Sequence, residues 1–185
     1  MLMLKDRVVI GLAVGILADA VKLAFNYLCF KLNFTDAVFW QIVAGTVLSR
    51  ADIFSPLGLL VGALADIVVT SLLGSVFIYL IYLTGKESLY LKGIGFGMFV
   101  WINFFVIVQG LLVQGKIPPT PTGLLVTFAA HFIFGLALAF FTQLLTANFG
   151  EEKEQESQSK HTFSIKKSLP ARVRFKKAVK PEKLR

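Results

Sequence analysis

Charge is what this sequence has least of, and its scarcity excludes most water-soluble architectures. Of 185 residues, 16% are charged and 56% hydrophobic, with a mean hydropathy of +0.72. A soluble domain of this length needs more polar surface than that, because the interior cannot hold every apolar side chain. Lipid removes the difficulty by solvating the excess. A single cysteine, Cys29, excludes an intrachain disulfide and any thiol–disulfide chemistry that needs a pair. Its apolar surroundings suit plain packing. One intramembrane histidine and two aspartates lie too far apart in sequence for metal-ligand spacing, so neither a metal nor another cofactor is expected.

What the chain does have is long apolar runs. A membrane-spanning helix takes about 20 mainly apolar residues, and four segments qualify, at about 8–31, 57–83, 93–115 and 122–146. Lys5 and Arg7 before the first run suggest a signal peptide, but the run is too long and others follow, so an uncleaved helix is expected. Ser55-Pro56 and Thr120-Pro121 each pair an N-cap with a first-turn proline. Gly85 and Gly93 bracket a charged connection, and Ile117-Pro118-Pro119-Thr120-Pro121 makes a stiff turn. Residues 37–49 hold a shorter apolar run between Asp36 and Arg50, too short to cross, and suit an interfacial or re-entrant helix with Trp40 at headgroup depth. The expected fold is all-α: four transmembrane helices in residues 1–146, the short helix at 37–49, and a flexible tail from 147 to 185.

Orientation follows from basic residues. With four spans and the N-terminus in the cytoplasm, Lys5, Arg7, Lys86, Lys92 and the tail lie inside, leaving Lys31, Arg50 and Lys116 outside. The tail carries 11 of the 19 Lys+Arg but 5 of the 11 Asp+Glu. Its first part, 151–159, reads as a solvated linker. Its second is basic, and Lys166, Lys167, Arg172, Arg174, Lys176 and Lys177 are candidates for contact with anionic lipid headgroups of the cytoplasmic leaflet. Nucleic acid is the less favoured partner for it.

Polar groups inside spans are costly and are functional candidates by default. Asp19 and Lys22 lie three residues apart on the first span, with Asn26 a turn further; Asp66, Asn103 and His131 sit on the other three. Counting about 1.5 Å per residue places these side chains in one layer near the bilayer midplane. Small residues at four-residue spacing, Gly11 and Gly15, then Gly58, Gly62 and Gly74, then Gly135, mark faces where backbones can approach closely beside them. The segments 11–21 (GLAVGILADAV) and 58–68 (GLLVGALADIV) share eight of eleven positions. In opposed helices that pattern suits an inverted pair around a midplane site.

Three interpretations compete for the layer. It can hold helices together, with Asp19–Lys22 a local ion pair and Asp66 either protonated or bonded to His131 or Asn103. Alternatively, it conducts protons or ions, with Asp66 and His131 a proton-linked pair, or it forms a ligand site. Lys92-Gly93-Ile94-Gly95-Phe96-Gly97 looks like a phosphate loop, but without a preceding strand it suits flexible helix entry and tight packing. Ser71 or Ser75 with His131 are the only protease-like combination, and neither serine sits in a nucleophile motif.

The glycine-rich first span near Asp19 and Lys22, the short segment before Ser55-Pro56, Lys92-Gly93-x-Gly95-x-Gly97 with Trp101, and His131 with Gly135 resemble small inner-membrane proteins of spore-forming Firmicutes. The likeness covers about residues 8–146. It implies a bacterial cytoplasmic membrane and a four-helix fold, with no assigned activity. The favoured function is a non-enzymatic accessory or organising membrane protein, with an unidentified membrane partner or acting as a homo-oligomer. A small ion- or proton-coupled transporter or channel is the alternative, and a holin-like pore the third.

Overall fold

A computed structural model describes residues 6–112 and 120–168, with 106, 110–112 and those from 147 onward described by their backbone alone. Five helices follow in chain order: α1 (Arg7–Lys31), α2 (Phe39–Val47), α3 (Pro56–Thr84), α4 (Leu89–Ile102) and α5 (Pro121–Ser168). After Ile102 the α4 backbone continues as a wider π-helical stretch, Asn103–Leu112. Arg7–Lys31, Pro56–Thr84, Leu89–Gln109 and Pro121–Thr146 are each long and apolar enough to cross a membrane. The chain divides into two compact units, 1–145 and 146–185.

Local chemistry sets the helix ends. The Asp6 carboxylate accepts a hydrogen bond from the Val8 amide at 2.9 Å and opens α1. Ser55 does the same for Gly58 at 3.0 Å, with Pro56 in the first turn of α3. The Thr120 hydroxyl accepts from the Gly123 amide at 3.1 Å where α5 begins at Pro121. These caps satisfy amides that have no partner within the helix. Gly85, at φ 79°, ends α3 in a conformation that needs no Cβ. Lys92 then donates to the carbonyls of Thr84 and Gly85 at 2.9 and 3.0 Å, closing the α3 C-terminus.

The third span therefore starts at Leu89, four residues before the expected Gly93. Gly93 lies inside the helix because it is a packing position: a Cβ there would meet the Gly135 carbonyl of α5. The tail also differs from expectation. The backbone of residues 147–168 continues the helix of α5, where a flexible linker had been expected. The first part of that stretch is rich in Glu, Gln and Lys, good helix formers whose propensity outweighs polarity. The proline-rich turn at 117–119 falls outside the described residues. So do Arg172, Arg174, Lys176 and Lys177, and the side chains of Lys166 and Lys167.

Helices α1 and α3 run antiparallel with their backbones in close contact. A Cβ at Gly11 would meet Ser75, one at Gly15 would meet Thr70 and Ser71, and one at Gly74 would meet Gly11 and Gly15. The Ser75 hydroxyl crosses to the Val8 carbonyl at 3.2 Å. Small residues earn this approach because dispersion and short polar contacts, more than hydrophobic burial, drive helix association in lipid. Gly58 and Gly62 have other neighbours. Gly58 packs on the Asp52 carbonyl of the preceding loop, and Gly62 on Trp40 and Ala44 of α2. The two sequence-similar segments therefore use matching glycines on different partners, and the pair is not two-fold symmetric in its packing.

Helix α2 enters the bundle at its N-terminal end. Ala37, Val38 and Phe39 at its start are buried, and the Phe39 amide donates to Asn26 Oδ1 of α1 at 2.8 Å. The Phe39 ring lies 4.2 Å from Lys22 Nζ. Since Lys22 is nine residues from the Lys31 end of α1, α2 begins about 13 Å along that helix at the usual rise. A helix resting at headgroup depth would not reach so far.

Candidate functional site

Three charged side chains on two helices meet inside the bundle. Lys22 Nζ donates to both oxygens of Asp66, at 2.9 and 3.2 Å, and lies 2.7 Å from Asp19 Oδ1. Asp19 and Lys22 are 1% exposed and Asp66 4%. The antiparallel register that brings Gly15 against Ser71 also places Asp66 beside the Asp19–Lys22 turn. The face of Phe39 covers the ammonium, and the ring of Phe134 stands 5.7 Å away. A cation against an aromatic face gains roughly 0.5–2 kcal/mol, most when water is excluded.

The two aspartates do not serve Lys22 equally. Asp66 reaches across from α3 and takes a two-oxygen grip. Asp19 sits one turn back on the same helix, where the three-residue spacing brings a single oxygen to 2.7 Å from the ammonium. Asn26, fully buried, uses its oxygen on α2 and leaves its Nδ2 without an acceptor.

His131 stands apart from this ion pair. Its Nδ1 is 2.8 Å from the Thr127 carbonyl one turn earlier, which assigns the N–H to Nδ1. Its ring packs against Phe39, Phe105 and Phe134, with centroids 5.3, 6.1 and 6.5 Å away. The expected bond between Asp66 and His131 is therefore replaced by Asp66–Lys22, with Phe39 between the cluster and the imidazole. Long, flexible Lys22 can cross to α3; a histidine held to its own helix cannot.

Asn103 also departs from the expected layer. Its amide donates to the Phe99 carbonyl at 2.7 Å, one turn back on the same helix, in a half-exposed position. The hydroxyls of Ser71 and Ser75 donate to backbone carbonyls and make no contact with His131 among the described residues. No group of three or more His, Cys, Asp or Glu there is placed to hold a metal ion.

Features that the spacing alone did not reveal complete the site. Phe39 is the lid of the ion pair, yet in sequence it is one apolar residue among many. Trp101 Nε1 donates to the Thr127 hydroxyl at 3.1 Å, joining α4 to α5 beside His131. Gln109 donates to the Ile42 carbonyl at 3.3 Å and ties α2 to the π-helical stretch. An amide near a predicted span end was the only signal for the last of these.

The fold and the buried charge cluster define an all-α, multi-pass membrane protein. No known protein family, curated protein or solved structure matches the chain.

Proposed function

We propose that this chain is a non-enzymatic organising protein of a bacterial cytoplasmic membrane, with both termini in the cytoplasm, that acts by contact with membrane partners or further copies of itself. One observation carries this reading. The charged side chains buried among the described residues bind one another, so they form a lock between α1 and α3. What remains for function is the outer surface and the basic tail. Helix α4 offers the most surface, with Leu91, Gly95, Phe99 and Ile102 along one exposed stripe.

Cross-linking tests the proposal. Cys29 is buried and unsuited to it, so Leu91→Cys or Phe99→Cys in the full chain supplies the thiol. A discrete adduct in native membranes, specific to α4 positions, is the expected result. Monomer alone at every position, together with solute flux in proteoliposomes, would favour a second reading. That reading, a small carrier, draws on the re-entrant α2 seated on an intramembrane ion pair, a combination used in transporters.

A further inference from the structure

Asn103 is placed unlike the other strongly polar side chains at its depth. Asp19, Lys22, Asn26, Asp66 and His131 are buried in the bundle, whereas Asn103 is half-exposed. Phe99 is the midpoint of the Leu89–Gln109 span and Asn103 follows it by one turn, about 6 Å along the axis. In a hydrocarbon core of about 30 Å, that depth is apolar. A side-chain amide carries two N–H donors and an oxygen with two lone pairs. One N–H goes to the Phe99 carbonyl at 2.7 Å; the second N–H and Oδ1 have no partner among the described residues. Lipid chains cannot meet them, and leaving them unmet costs free energy.

The surface around Asn103 is open. Phe99 and Ile102 are exposed, and nothing lies within 4 Å of a Cβ at Gly95. The Leu89–Gln109 span is also the least enclosed, 12% buried along its apolar stretch against 39–50% for the other spans. Its charged residue, Lys92, is turned to the carbonyls of Thr84 and Gly85 that end α3.

We propose that this face of α4 is the contact between two copies of the chain, related by a two-fold axis normal to the membrane, with the two Asn103 amides bonded to each other. Copies inserted in the same direction carry Asn103 at identical depth. An amide is self-complementary, and a two-fold axis lets each free N–H donate to the Oδ1 of the other copy. No like charges meet, because the face between Gly95 and Asn103 carries none. Polar bonds between helices hold membrane pairs together, and a single asparagine in an apolar helix contact fixes register and the number of helices. Phe99 and Ile102 supply the apolar contact beside it. This inference rests on the organising role and names its partner.

Two forms of the full chain with different C-terminal tags, each carrying Phe99→Cys, are co-expressed and oxidised in native membranes. The expected product is a disulfide-linked pair bearing both tags. Leu64→Cys, at an exposed position on α3, is expected to give none. Asn103→Leu is expected to lower the yield about five-fold or more, and Asn103→Gln, which keeps the amide, to retain most of it. A yield undiminished by Asn103→Leu would overturn the inference. An adduct with a foreign protein and no doubly tagged pair would also overturn it, while leaving the organising role intact. Monomer alone at every position would overturn both. Energy transfer between donor- and acceptor-labelled parent chains in phosphatidylethanolamine–phosphatidylglycerol vesicles requires no variant to fold. Transfer that persists as lipid is added is expected; a fall to the level of random encounter would overturn the pairing.

Discussion

Helices α1 and α3 approach through Gly11, Gly15 and Gly74, and helices α4 and α5 through Gly93, Gly97 and Gly135. In both pairs an added Cβ would strike backbone of the opposite helix. Beside this shared device the locks differ. The α1–α3 contact carries an ion pair between helices, covered by an aromatic ring. The α4–α5 contact carries a neutral Trp101–Thr127 hydrogen bond and a histidine turned back on its own helix. Close backbone approach is thus compatible with either chemistry, and the cost of failure separates them. A charge stranded in the membrane interior cannot be rehydrated, whereas a lost neutral bond strands only one weak donor or acceptor.

The largest effect is expected where that asymmetry is greatest. Lys22→Ala should destabilise the protein by about 3–5 kcal/mol, since it leaves the buried carboxylates of Asp19 and Asp66 with no cation between them. Unfolding in mixed micelles or by steric trapping measures it. Simultaneous Asp19→Leu, Lys22→Met and Asp66→Leu should recover most of the loss, because well-packed apolar replacements of buried ion pairs are often neutral or better. A small effect of Lys22→Ala would mean that glycine packing alone holds α1 to α3, erasing the contrast.

Next in size are the glycine contacts themselves. Gly15→Leu and Gly135→Leu should each cost about 1–3 kcal/mol or more through overpacking. Comparable losses by the same unfolding assay would confirm that the two pairs share the device; a tolerated Gly135→Leu would confine it to α1 and α3. Trp101→Phe should cost about 0.5–1.5 kcal/mol, the net worth of one neutral hydrogen bond. Its loss should leave the α1–α3 contact intact, as judged by disulfide trapping between introduced cysteines. The smallest effect belongs to Gly95→Ala. Nothing lies within 4 Å of a Cβ there, so the change in stability should stay within about 0.5 kcal/mol. A large loss would show that α4 is covered by a partner in the membrane.

Much of the layout was legible because the membrane makes it so. Residues that cannot be hydrated form continuous helices of bilayer length, and the four spans end within a few residues of their caps. Depth was legible too: the count along each helix brought Asp19, Lys22 and Asp66 to one level, where they meet. Partner choice was not. Asp66 could face Lys22, His131 or Asn103 at equal depth, and rotation of each helix about its axis decides among them. For Asn103, a carbonyl one turn back competes successfully for the amide. For Gly93, a position read as a helix boundary proved to be a contact, since the same missing Cβ serves both purposes.

What the sequence determined by itself is the need for lipid, the number of spans and the scarcity of intramembrane charge, all of which follow from composition and run length. The tertiary structure decided that α2 enters the bundle rather than resting on it. It also decided that Phe39 closes over Lys22, and that Lys22 bonds across to Asp66 while holding Asp19 at 2.7 Å. These outcomes depend on the register of α1 against α3 and on where a short loop returns the chain. Both are set by backbone-to-backbone packing at glycines, and spacing along one helix carries no information about the helix it will meet.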